Sequence, residues 1–169
     1  MAARHGLAGL LAMIAVAVPS AASAQTMWQC APFARVFSGV QLFGAAYSWW
    51  NQAVGRYAQG RAPQAGAVLV FKASGAMRSG HVATVTQIVS DRIVKVTHAN
   101  WGGMKGRVER DVTVVDASPA NDWSQVRVWY NPIRTVGIKA YPTYGFIYAG
   151  ARAAAAKAGL ATDEASVEG

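Results

Sequence analysis

The chain has 169 residues, 53% hydrophobic and 14% charged, which excludes a disordered protein and suits one domain with a proper core. A formal net charge of +8 and a pI near 10.1 favour anionic partners: nucleic acid, an acidic membrane surface or an acidic polymer. The basic residues are scattered, as in a diffuse field, and a solvated surface without a specific partner remains the alternative.

The first 25 residues, MAARHGLAGLLAMIAVAVPSAASAQ, have the three parts of a secretory leader. Arg4 and His5 give a positive start, residues 6 to 18 are uncharged and mostly apolar, and Ala22-Ser23-Ala24 supplies the small side chains of a cleavage site. The apolar run is shorter than the roughly 20 residues of a spanning helix. The expectation is therefore a signal peptide over 1–24, cut after Ala24, and a periplasmic or secreted domain with no membrane anchor. Loss of Arg4 lowers the charge to +7, and export argues against nucleic acid.

Residues 25 to 60 read as helical. Cys30, Phe33, Ala34 and Phe37 recur at helical spacing before Gly39, and GAAYSWWNQAVG follows from Gly44 to Gly55. Pro32 sits early in the first segment, where its missing N–H is harmless, so Cys30 lies in or just before the first turn. After a break at Gly60 to Pro63 come strands: AGAVLVFKA (65–73) as a continuous apolar run, then GHVATVTQIV (80–89) and RIVKVTHAN (92–100), joined by a turn at Ser90-Asp91. RVERDVTVVD (107–116) alternates and VRVWYNP (126–132) closes the series. Residues 133–150, rich in Tyr, Gly and Pro, predict an irregular finish or one last short strand. The tail over 151–169 reads as partly helical or disordered. Helices followed by a strand meander argue an α+β domain over 25–150, with N-terminal helices packed on a mainly antiparallel β-sheet.

Cys30 is the only cysteine, so no internal disulfide is open to it. A buried structural thiol, an intermolecular disulfide and a nucleophile compete. A helix start favours the thiolate through its unsatisfied N–H groups, and an imidazole does more. Without His5, the remaining histidines are His81, at a strand start, and His98, two residues before Asn100. If the two strands form a hairpin, His81 comes near His98 and Asn100, and a period of two puts the latter pair on one face. That convergence suits a nucleophile, a base and an orienting group. Cys30 would attack a carbonyl, His81 would carry the proton, and His98 or Asn100 would fix the imidazole. Two His and one Cys without CxxC or HxxxH spacing make a poor zinc site, and the carboxylates form no calcium-ligand run, so neither metal nor cofactor is expected.

The order Gln29-Cys30, then GHVATV (80–85), then HANW (98–101) followed by Gly-Gly resembles the CHAP family of cysteine amidohydrolases and peptidases. That family belongs to the papain-like superfamily that also holds the NlpC/P60 enzymes. The resemblance spans roughly residues 28–148, including PQAGAVLVF and GFIYA. It implies a papain-like α+β fold, Cys30 as nucleophile, His81 as base and His98 with Asn100 as the orienting pair. The position of His98 often carries Glu in this family, so this chain departs from the pattern there. The implied substrate is an amide of peptidoglycan, between muramic acid and L-alanine or within the peptide, in an anionic wall, with Trp101 as a candidate groove wall. A monomer is expected. The rivals are a non-catalytic wall-binding or scaffolding module, and an amidase or acyltransferase for a small soluble amide.

Overall fold

The computed structural model describes residues 26–75 and 77–150, so the expected leader over 1–24 and tail over 151–169 lie outside the described residues. Helix α1 spans Cys30–Ser38 and ends on Gly39, whose left-handed backbone lets its N–H bond the carbonyl of Arg35. The chain then runs extended to Gly44, and a 3-10 turn at Ala46–Ser48 leads into α2, only five residues long at Trp49–Ala53. Gly44 and Gly55, both at positive φ, bracket that second helical stretch. Among the described residues no helix is long and apolar enough to cross a membrane.

Eight strands follow: β1 (Ala58–Gly60), β2 (Val68–Phe71), β3 (His81–Ser90), β4 (Ile93–Ala99), β5 (Val108–Asp116), β6 (Gln125–Tyr130), β7 (Thr135–Val136) and β8 (Tyr141–Tyr148). Strands β2 to β6 form an antiparallel meander apart from the arrival of β8, which pairs with β2 on one side and β6 on the other. The order β8-β2-β3-β4-β5-β6 thus returns to β8, and the sheet is a closed six-stranded antiparallel barrel. β1 and β7 are short additions outside the ring.

This corrects the expected papain-like α+β architecture of N-terminal helices packed on a mainly antiparallel β-sheet: the described residues are mostly β, with short α-helices at Cys30–Ser38 and Trp49–Ala53. The physical reasons lie at the two ends of the domain. Glycines at positions 39, 44 and 55 break residues 25–60 into brief helical pieces instead of long helices. Residues 141–148, expected as an irregular finish or a short strand, form a full strand that closes the sheet and leaves fewer edges to cover.

Two apolar clusters result. The barrel interior holds Leu69, Phe71, Val85, Val96, Trp123 and Phe146, while Ala34, Leu42 and Trp49 pack with Val68, Val70 and Val82 on the outer wall. All four residues of β2 are buried because one face meets the interior and the other meets the helices, which explains its continuous apolar run. The first five residues of β3 are buried and its last four exposed, and Val82 near its start packs in the cluster that holds Ala31 and Ala34 of α1. At the seam, Phe146 meets Trp123 edge-on at 5.6 Å, and the Thr143 hydroxyl donates to the Trp123 carbonyl. Phe146→Ala should remove the closing plug and lower stability by about 3–5 kcal/mol, read as a drop in the urea midpoint.

Candidate functional site

His81 opens β3 and His98 lies near the end of β4, so antiparallel pairing brings both to one rim of the barrel. The residue before His81 makes this placement possible. Gly80 has φ +66, and a Cβ there would sit 2.7 Å from the Phe71 carbonyl oxygen and 2.8 Å from the Tyr47 nitrogen. Only a glycine lets three backbone segments meet there. His81 Nε2 lies 3.0 Å from His98 Nδ1, and both rings are buried. Cys30, half-buried at the first residue of α1, has its sulfur approached by the N–H groups of Val82, Ala31 and Cys30 itself. Since Val82 follows His81, that contact sets the thiol against the start of β3.

The electrostatics of the pair are those of neutral partners. Burial pushes the Cys30 thiol above its ordinary range, against the pull of the three N–H donors. Burial, reinforced by His98, holds His81 well below the ordinary imidazole value. Thiol and neutral imidazole are therefore the resting forms near pH 7.

The side-chain hydrogen bonds of Asn100 go to Gln29 and Gly106 rather than to His81. Strand β4 ends at Ala99, and Asn100 turns into the left-handed region at φ +62, so the period-two reading does not extend to it. Its amide donates to the Gln29 side chain at 2.8 Å, and its oxygen accepts from Gly106 N–H at 2.9 Å. With Trp28 N–H bonded to the Gly106 carbonyl, these contacts lace the segment before Cys30 to the loop between β4 and β5. Trp101 is buried, its ring centroid 4.8 Å from that of His81 and stacked on His98 at 5.5 Å. It also borders a cavity of about 250 Å³ with Met77, Gly102, Tyr130, Lys139 and Tyr141. Among the described residues no group of three or more His, Cys, Asp or Glu side chains is placed to hold a metal ion.

One site residue was not singled out from the sequence. Glu109 on β5 is the register partner of His98, and its buried carboxylate lies 3.6 Å from His98 Nε2. Its other oxygen accepts from the Asn131 amide at 2.8 Å. The signal available was the one glutamate in the alternating run RVERDVTVVD, meaningful only once β5 is registered on β4.

A helix-borne thiol near the backbone of Val82, the residue after one of two paired and buried imidazoles, suits chemistry of the cysteine-hydrolase type. The sequence model of the CHAP domain matches residues 21–100, a segment that holds Cys30, His81, His98 and Asn100 and stops short of Glu109. This match agrees with the family its motifs resemble, and at a coarse level it supports an enzyme of the hydrolase class, since the CHAP domain suggests a family of peptidoglycan hydrolases or amidases. No curated protein matches the chain.

The buried neutral His81 has a consequence for stability. In the unfolded chain it takes its proton near pH 6.5, and in the folded protein only well below that. Between those values the unfolded state binds more protons, so stability is full above the unfolded value and falls as pH drops through it. The slope is at most about 1.4 kcal/mol per pH unit. Urea unfolding at pH 7.5 and 5.5 should show this loss in the wild type and a loss smaller by roughly 1 kcal/mol in His81→Gln.

Proposed function

We propose that the protein is an exported peptidoglycan hydrolase in which Cys30 cleaves an amide bond, between muramic acid and L-alanine or within the peptide. The observation that carries this reading is the commitment of His81 Nε2 to His98 at 3.0 Å. Nδ1 is then the nitrogen left to serve the thiol, which lies near the backbone of the very next residue, Val82. The CHAP match supplies the reaction class, and the leader-like residues 1–24 and the basic charge support export toward an anionic wall, periplasmic or outside the cell.

The mechanism starts from the neutral pair. As Cys30 sulfur attacks the carbonyl carbon, its proton passes to His81 Nδ1. The carbonyl oxygen gains the charge beside the N–H groups at the start of α1. Collapse of the tetrahedral adduct breaks the C–N bond, His81 returns the proton to the departing amine, and a thioester remains. Water then loses a proton to His81 and attacks the thioester, releasing the acid and restoring the thiol. His98 orients His81 by geometry, whereas Asn100 holds the Cys30 segment in register with the β4–β5 loop. Trp101 packs the histidine pair from one side and offers an edge to substrate at the 250 Å³ cavity.

Digestion of purified sacculi, followed by mass spectrometry of the released muropeptides, tests the activity and names the bond. The wild type should release fragments and Cys30→Ala none, a loss of at least about a thousandfold. Full activity in Cys30→Ala would overturn the reading. Because His81 protonates well below its ordinary value, the acid limb of kcat/KM should also lie well below pH 6.5. A limb at the ordinary imidazole value would place a different group in the role of base.

A further inference from the structure

The relay does not end at the second histidine. His98 Nε2 and Glu109 Oε2 are both buried and without a hydrogen-bond partner, and they face each other across 3.6 Å. The groups around His98 are His81 on β3, Glu109 on β5 and the Trp101 ring after β4, so Glu109 is the carboxylate in contact with the pair. The remaining Glu109 oxygen is pinned by Asn131, from the 3-10 turn that follows β6.

Two neutral imidazoles joined by one hydrogen bond have two arrangements. If His98 carries its proton on Nδ1, it donates to His81 Nε2, and the proton of His81 then sits on Nδ1, where no thiol proton can be received. If His98 carries its proton on Nε2, its Nδ1 accepts from His81 Nε2–H, and His81 Nδ1 keeps its lone pair for the thiol. A carboxylate beside His98 Nε2 accepts only, and so selects the second arrangement. We propose that Glu109 is a positioning residue that sets the tautomer of His98, and through it that of His81, with Asn131 fixing which Glu109 oxygen faces the ring. The proposal rests on the reading of Cys30 and His81 given above.

The test inverts the donor without changing the shape. In Glu109→Gln, the new amide oxygen stays on the Asn131 amide and its NH2 turns toward His98 Nε2, favouring the unreactive tautomer. We expect kcat to fall about a hundredfold with KM little changed. Adding Asn131→Asp supplies an acceptor at the outer end, so the amide flips, its oxygen faces His98 Nε2–H again, and most of kcat returns. Nitrogen-15 NMR of the histidine rings reads the tautomers directly: Nε2–H on His98 in the wild type and the double variant, Nδ1–H in Glu109→Gln. That readout needs no turnover. An inert wild type whose tautomers follow the expected pattern therefore sinks the hydrolase reading and leaves this one standing. Unchanged kcat in a folded Glu109→Gln, unchanged ring tautomers, or failure of the double variant to recover either signal overturns it.

Discussion

The pairing of β8 with both β2 and β6 is the constraint on which the rest depends. It turns a meander into a ring, and a ring has an inside where Phe71, Trp101 and Phe146 can be buried without long covering helices. It also holds the rim on which the histidines sit. With the ring closed, β3, β4 and β5 lose the freedom to slide past one another, and the positions of His81, His98 and Glu109 become properties of strand register. The short helices can then be small, because α1 is needed only to pack in the cluster that holds Val82 of β3 and to present one thiol.

A polar chain through an apolar rim is costly unless each atom finds a partner. Here the order runs from His81 to His98, across 3.6 Å to Glu109, and out to Asn131 at the exposed surface. Aromatic rings form the walls: Phe71 meets His81 edge-on at 5.4 Å, and Trp101 packs against both imidazoles. Such walls exclude water and lower the local dielectric. The same burial that makes the thiol reluctant to ionise also keeps His81 unprotonated and able to accept, so the two shifts act together.

Strands β2 to β6 were legible because β-branched alternation and buried apolar runs are local signals, and they place His81 beside His98 once the hairpin is assumed. Strand β8 was not. Its Pro142 and Gly145 read as punctuation, yet Gly145 has φ +129, and a Cβ there would come 2.5 Å from the Gly60 carbonyl oxygen and 3.2 Å from the Trp50 ring. A residue that weakens a strand in isolation is the one this crossing requires. The two helical segments expected within residues 25–60 are present but brief, at Cys30–Ser38 and Ala46–Ala53, and what the sequence did not convey is how little of the sheet they cover. At the site, a left-handed backbone at Asn100 ends the strand one residue earlier, so the period-two reading does not give the direction of its side chain. Glu109 was invisible because its meaning depends on a β4–β5 register that shifts between Val96 and His98, across a loop.

The lacing between Trp28, Gln29, Asn100 and Gly106 has a bearing on how the molecule comes to life. The thiol belongs to the N-terminal side of the domain and its base to the middle, so neither can find the other by local folding. The contacts that hold Gln29 to the β4–β5 loop join segments 71 residues apart in sequence. Chemical competence thus rests on long-range contacts rather than on any local segment. A chain still threading or half-assembled carries an ordinary thiol and an unpartnered imidazole, separated by closure entropy that no short segment can recover.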